Sequence, residues 1–86
     1  EESGVVSPDG RWIAYTSNES GITQVFVRPF RREGGRWLVS AAAAGGPLWS
    51  SDREIVYEDF DRRAMVAARL EFSPNPRVIE REMLFE

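Results

Sequence analysis

The chain contains no cysteine, no histidine and no lysine among its 86 residues. Without cysteine no disulfide can form, and without cysteine and histidine neither a thiolate nor an imidazole is available to bind zinc. The absence of histidine also excludes mechanisms in which imidazole acts as a general base or activates a nucleophile. These absences predict a chain with no metal site and no cofactor.

Charge and hydropathy also exclude several classes of partner. All eleven basic residues are arginine, which we interpret as compositional bias of the source, and the net charge is only −3. A chain so close to neutral has no general attraction for nucleic acid or for anionic membranes. There is also no run of about 18 apolar residues, the minimum for a spanning helix. We therefore expect no nucleic-acid partner and no membrane insertion.

The first four residues, Glu-Glu-Ser-Gly, do not resemble a signal peptide, because they lack a basic segment followed by an apolar one. The chain also lacks an initiator methionine. We therefore expect it to be part of a longer protein, whose targeting signal could lie elsewhere.

Short alternating apolar runs, separated by Gly, Pro, Asp and Asn, predict strands joined by tight turns. The predicted strands are residues 5–6, 11–17, 23–30, 36–40, 48–49, 54–57, 64–72 and 79–85. The runs 64–72 and 79–85 also have helical propensity, and we favour strands for both. Residues 41–47, four alanines followed by Gly-Gly-Pro, are predicted to form a loop. The fold class is therefore all-β.

An internal repeat organises these strands. Ser7 matches Ser50 and Asp9 matches Asp52 at a spacing of 43 residues, and Tyr15 matches Tyr57 at 42 after a one-residue deletion. Repeats of about 40–45 residues with four strands each are typical of β-propeller blades. We predict two four-stranded antiparallel blades, about 4–45 and 46–86, with strands A to D in each running outward from the propeller axis.

The segment SPDGR at 7–11, followed by WIAYTS at 12–17, resembles the signature of TolB-type, WD-like propeller repeats. The stretches VFVRPF and MLFE are most similar to propellers associated with bacterial Ser/Thr kinases. This resemblance implies a periplasmic or extracytoplasmic location, and it implies that the signature stabilises a turn rather than binding a ligand. The second copy departs from the pattern, with Ser51 in place of Pro and Arg53 in place of Gly.

Two blades bury only one interface and leave two sheet faces open, whereas repeat units of this kind need about three copies to cover their apolar faces. We consider three solutions: a piece of a longer propeller, a symmetric assembly such as three chains giving six blades, or a strand-swapped dimer. For the isolated chain we favour self-association, giving a homo-oligomer.

No catalytic motif is present: the sequence has no G-x-S-x-G, P-loop or G-x-G-x-x-G. We therefore predict that the chain is not an enzyme and has no catalytic residues. Two charged groups are candidates for a calcium site and for a phosphate or nucleic-acid patch, and we favour ordinary solvated turns for both. The acidic group is Glu58, Asp59 and Asp61, and the basic group is Arg28, Arg31, Arg32 and Arg36.

The propeller resemblance implies ligand binding at the face formed by the B–C and D–A loops, here 18–22, 59–63 and 41–47. The candidate ligand-contacting residues are Asn18, Glu19, Asp59, Asp61 and Arg62. We predict a non-catalytic binding or scaffolding module that recognises a protein, a peptide or a small ligand. The alternatives are an accessory segment of a larger peptidase or kinase that positions or gates substrate, and a self-assembling small β protein.

Overall fold

The computed structural model of the chain describes residues 4–19 and 21–85. The N-terminal residues 1–3, one residue of the turn at 18–21, and the last residue of the second repeat lie outside the described residues. Within the described ranges the chain forms strands and turns and no helix. The strands are β1 (Val5–Val6), β2 (Trp12–Ser17), β3 (Gln24–Pro29), β4 (Trp37–Leu38), β5 (Ala44–Ser51), β6 (Glu54–Asp59), β7 (Ala64–Glu71) and β8 (Arg77–Phe85).

These strands form two antiparallel sheets of four strands, in the orders β1-β2-β3-β4 and β5-β6-β7-β8. We call them sheet one and sheet two. Every strand pairs only with its neighbours in the chain. The predicted all-β class with two four-stranded antiparallel sheets is confirmed. The runs at 64–72 and 79–85, which could also have been helical, are the strands β7 and β8.

The prediction of a loop over 41–47 is wrong in its second half, because β5 begins at Ala44. The amide of Ala44 donates a hydrogen bond to the carbonyl of Thr23 at 2.9 Å. The ladder with β6 is interrupted between Gly45 and Leu48, where Gly46 adopts a φ of +63°. The Gly-Gly-Pro segment is therefore a bulge within an edge strand, a position where proline and glycine are both tolerated.

One apolar core lies between the two sheets. Sheet one contributes Ala14, Val25 and Val27, and sheet two contributes residues that include Ile55 and Tyr57. Ala14 is paired with Val27 across β2 and β3, so these side chains share one face of the sheet. Each sheet thus buries one face against the other, and we call these the interior faces.

Residues that correspond in the two repeats point in opposite directions relative to the core. Tyr57 lies on the interior face of sheet two and is only 2% exposed. Its counterpart Tyr15 lies on the outward face of sheet one, because it alternates with the core residue Ala14 along β2. The sheets therefore pack front to back, as successive units of a stack, and not as mirror-related halves of a sandwich.

Aromatic side chains close one end of the interface between the sheets. The rings of Trp12 and Phe72 are stacked with centroids 4.6 Å apart, and Trp37 contacts Trp12 edge to face. Trp49 of β5 donates from Nε1 to the carbonyl of Val5 at 2.7 Å, which links the first strands of the two sheets. These partly buried indoles fix the relative position of the sheets and cover the core from solvent.

The two repeat turns use different hydrogen-bonding groups. In the first turn Asp9 accepts from the backbone N–H of Arg11, whereas in the second Ser51 accepts from the N–H of Arg53. The hydroxyl of Ser51 therefore takes the role of the Asp9 carboxylate, and the predicted correspondence of Asp9 with Asp52 is not reflected in the hydrogen bonds. The second turn also needs no glycine, because a positive φ occurs at Gly10 but not at its counterpart Asp52.

The edges of the two sheets differ in length. The outer strands of sheet one, β1 and β4, have two residues each, whereas those of sheet two, β5 and β8, have eight and nine. The pairing of β8 with β7 shifts register at Ile79 and again at Leu84. These irregularities bend the long edge at both ends.

Candidate functional site

Three connections meet at one end of the interface between the sheets: the β2–β3 turn, the β4–β5 segment and the β6–β7 turn. The amide of Ala44 is bonded to the carbonyl of Thr23, and the amide of Phe60 is bonded to the carbonyl of Ala43, both at 2.9 Å. The β4–β5 segment therefore holds the other two turns together. This is the end at which the propeller resemblance implies ligand binding.

A cleft of about 500 Å³ opens at this end, and we call it the Tyr57 cleft. Its walls combine apolar and polar side chains, a composition typical of sites that bind organic ligands or peptides. The lining residues are Ala41, Ala42, Tyr57, Asp59, Asp61, Arg62, Val66, Arg81 and Met83.

Arg81 connects the two sheets across this cleft. Its Nη2 and Nε atoms both donate to the carbonyl of Val39, at 2.7 and 3.3 Å. The guanidinium thus satisfies a backbone carbonyl at the end of sheet one while its own backbone belongs to β8. An arginine held in this way presents a fixed positive charge, which costs little further ordering when a ligand binds.

Tyr57 lines the cleft with a side chain that is almost fully buried. Burial raises the pKa of Tyr57 above its ordinary value of 10.0, and the nearby Arg81 guanidinium only partly opposes this effect. The hydroxyl therefore remains protonated at neutral pH and can both donate and accept a hydrogen bond. It offers the cleft a neutral polar group.

Asp59 was predicted to lie in an exposed turn, and this is wrong, because β6 continues through Glu58 and Asp59. Asp59 is 8% exposed, and its Oδ1 accepts a hydrogen bond from the backbone N–H of Arg62 at 3.1 Å. The turn that follows is tight, with Arg63 at a φ of +54°. One oxygen of Asp59 thus stabilises this turn, and the carboxylate is directed inward rather than into solvent.

The five predicted ligand-contacting residues are divided between different places. Asp59, Asp61 and Arg62 line the Tyr57 cleft. Glu19 lines a separate depression of about 340 Å³ on sheet one, where it forms an ion pair with Arg36. Asn18 is exposed, and its carbonyl accepts from the N–H of Gly21 in the β2–β3 turn.

Sequence reasoning missed two of the polar residues of the cleft, Tyr57 and Arg81. The sequence identified Tyr57 only as the repeat counterpart of Tyr15, and the structure shows that it is almost fully buried. Arg81 lies in a strand whose register could not be derived, because the shifts at Ile79 and Leu84 decide which side chains face the cleft. No local signal in the sequence identifies it.

A second cleft, of about 440 Å³, lies at the opposite end of the sheets, and we call it the Asp9 cleft. Its lining residues are Asp9, Arg11, Trp12, Asp52, Arg53, Glu71, Phe72 and Ser73. The Ser7 hydroxyl donates to Asp9 at 2.5 Å and lowers the pKa of that carboxyl. Since Asp9 also accepts from Arg11 within its own turn, its role is structural.

The basic group predicted around the first C–D turn packs largely on aromatic rings. Arg28 lies over Tyr15, Arg31 over Phe30, and Arg32 over Trp12, at 4.8 to 5.4 Å from the ring centroids. These are cation–π contacts. The guanidinium groups are thus held along the surface of sheet one and are not gathered around a single point where a phosphate could bind.

No group of three or more acidic side chains within residues 4–19 and 21–85 is placed to hold a metal ion. In the same part of the chain no helix is long and apolar enough to cross a membrane.

No protein-family model, curated protein or solved structure matches this chain. The resemblance to TolB-type repeats therefore stays a prediction from the sequence.

Proposed function

We propose that the chain is a non-catalytic binding module of the β-propeller type, which recognises a peptide or a segment of a protein in the Tyr57 cleft and associates with further copies of itself. Its two sheets correspond in this proposal to two blades. The observation that carries the binding role is the cleft itself, in which Tyr57 and Arg81 stand beside apolar walls at the junction of three connections.

The composition of the cleft favours a peptide over a small charged ligand. Acidic and basic groups are both present, so no single charge dominates. Ala41 and Ala42 precede the edge strand β5, so an extended segment can lie beside them and use backbone hydrogen bonds. Apolar side chains of such a segment can contact Val66 and Met83.

The test uses amide chemical shifts of the whole chain in the presence of a pool of random heptapeptides. We expect shifts confined to residues 41–43, 57–63 and 81–83. Asp61→Ala and Arg62→Ala should weaken binding about tenfold, as loss of one charged contact of about 1.4 kcal/mol implies. Both residues are exposed, so these variants should fold normally.

Arg53→Ala is the matched control, because Arg53 is also an exposed arginine but lines the Asp9 cleft. It should leave peptide binding unchanged. Shifts confined to residues around Asp9, or binding that is insensitive to both Asp61→Ala and Arg62→Ala, would contradict the assignment of the Tyr57 cleft.

A further inference from the structure

The outward face of each sheet resembles the interior face of the other sheet. Tyr15 and Phe26 are paired on the outward face of sheet one, in the places that Tyr57 and Val66 occupy on the interior face of sheet two. The backbone supports this correspondence. Phe30 N–H donates to the carbonyl of Arg11, as Leu70 N–H donates to the carbonyl of Arg53.

The interior face of sheet one and the outward face of sheet two correspond in the same way. The interior face of sheet one carries Ala14 paired with Val27. The outward face of sheet two carries Val56 paired with Ala67 in the corresponding places. Within the part of the chain that the structure describes, no other sheet covers either outward face, although Arg28 and Arg36 lie over Tyr15 and Phe26, which are only 4% and 8% exposed. The two outward faces are of the two types that already pack against each other inside the chain.

Apolar rows run across the centre of both outward faces. On sheet one the row is Tyr15, Phe26 and Leu38, which are neighbours across β2, β3 and β4. On sheet two the row is Leu48, Val56 and Ala67, neighbours across β5, β6 and β7. Leu38 is 47% exposed and Leu48 is 61% exposed, so each row includes a large side chain that remains in water.

The charges beside these rows have opposite signs. On sheet one, Arg28 lies over Tyr15 and Arg36 lies over Phe26, with Glu19 paired to Arg36. On sheet two, three glutamates surround Arg69 in a shallow depression; they are Glu54, Glu80 and Glu82. The first surface therefore carries an excess of positive charge and the second an excess of negative charge, counted over the charged residues named here.

We propose that the outward face of sheet one binds the outward face of sheet two of a second copy of this chain, front to back, reproducing the contact that joins the two sheets within the chain. The inference rests on the self-association included in the proposed function, and it specifies the surfaces and their polarity. Such a contact is heterologous, so repetition closes into a ring when the rotation between copies allows it.

The new contact differs from the internal one in the number of charged residues that it includes. Where the interior face of sheet one presents Trp12 paired with Pro29, the outward face of sheet two presents Glu54 paired with Arg69. The intermolecular contact therefore exchanges an aromatic contact for a charged one. Its strength should fall as salt rises, because exposed charges are screened within about 3 Å at about 1 M salt.

The test reverses charge on each face separately and measures molar mass by light scattering. Arg28→Glu with Arg36→Glu makes both faces negative, and Glu54→Arg with Glu82→Arg makes both positive. Either double variant should dissociate to the 9.8 kDa single chain, with the concentration for half-assembly raised more than about tenfold. The chain carrying all four reversals should assemble again, as should a mixture of the two double variants.

The mixture distinguishes a true interface from damaged folding, because two misfolded variants would not restore each other. Any closed ring in this mixture should contain an even number of chains, since each junction needs one copy of each variant. Arg53→Glu, a reversal of the same type on an exposed arginine at the Asp9 cleft, is the control and should leave the mass unchanged.

An assembly whose mass is unaffected by both double variants would overturn the proposed faces while leaving self-association standing. A chain that remains monomeric at every concentration and at low salt would overturn this inference and the self-association in the proposed function. Peptide binding in the Tyr57 cleft is measured independently of either result.

Discussion

Sheet one and sheet two hold their last strands by different means. In sheet two, β8 pairs with β7 along nearly its whole length. In sheet one, β4 pairs with β3 only at Trp37 and Leu38. Beyond these two residues Val39 and Ser40 bind Val25, and the Ser40 hydroxyl accepts from the N–H of Val25. Two backbone amides and one serine hydroxyl in sheet one thus replace what a continuous ladder provides in sheet two.

The central tyrosines show a second difference. Tyr57 is covered by the other sheet, whereas Tyr15 is covered by Phe26, Arg28 and the segment that follows β3. The repeat therefore supplies the same residue for two surroundings: a permanent interface and a face closed by long polar side chains. A buried tyrosine therefore does not by itself show that another sheet packs on that face.

The largest effect on the free energy of unfolding should come from replacing each of the two tyrosines separately by alanine. Tyr57→Ala should lower the free energy of unfolding by about 3–5 kcal/mol, because it leaves a cavity between the sheets. Tyr15→Ala should cost about 1–2 kcal/mol, because the arginine side chains above it can collapse into the space. Urea unfolding monitored by tryptophan fluorescence measures both. Equal losses would show that both tyrosines have an equally rigid environment.

Ser40→Ala should have the next largest effect. It leaves the buried N–H of Val25 without its acceptor, which should cost about 1–3 kcal/mol. Hydrogen exchange should become faster in β3 and β4 and stay unchanged in β7 and β8. Ser17→Ala, at a more exposed serine of the same sheet, should change stability by less than about 0.5 kcal/mol. Uniform acceleration across both sheets would show that β4 is not held locally.

The repeat turns should respond differently to alanine. Gly10 has a φ of +76° and open space around it, so Gly10→Ala should cost about 1 kcal/mol through backbone strain alone. Asp52 takes the corresponding place without a positive φ, and Asp52→Ala should stay within about 0.5 kcal/mol. Thermal unfolding compares the two. Similar costs would mean that the turns share one geometry after all.

The smallest effect should be a dependence of folding stability on pH, caused by Asp9 in the first turn. The Ser7 hydroxyl lowers the pKa of Asp9 below its ordinary value of 3.8. The Asp9 carboxylate therefore stabilises the folded chain above that value, and the contribution is lost as the pH falls through the lowered pKa. Because the group is exposed, we expect less than about 1 kcal/mol.

Carbon-13 titration of the Asp9 carboxyl measures this directly. Ser7→Ala should move the pKa back toward 3.8, and stability should then decrease less below that pH. Ser51→Ala, in the second turn, is the control and should leave the Asp9 titration unchanged. A titration unaffected by Ser7→Ala would show that the hydroxyl does not stabilise the charged carboxylate.

Most of the strands could be predicted from the sequence because alternation between apolar and polar residues is a local property. The start of β5 could not, because Ala44 is recruited by the carbonyl of Thr23 in the other sheet. Gly-Gly-Pro indicates a turn from local chemistry, and only contact between the sheets makes it part of a strand. Here a tertiary hydrogen bond outweighed local preference.

The candidate site was predictable only in part, for the same reason. Asp59, Asp61 and Arg62 could be placed near one another because they are neighbours in the chain. Arg81 reaches the cleft from β8, and its orientation depends on two irregularities in strand pairing that leave no clear trace in the sequence. Glu19 was assigned to the same face, but its ion pair with Arg36 holds it on sheet one.

The irregular edge of β8 has a consequence for the chain at high concentration. A straight, uncharged strand of nine residues would offer a template on which other chains could add strands without limit, as in amyloid. The shifts at Ile79 and Leu84 bend this edge, and Glu80, Arg81 and Glu82 place charges along it. We therefore expect fibril growth by edge addition to be suppressed, so that a preparation of this chain stays clear under conditions in which a regular β edge would precipitate.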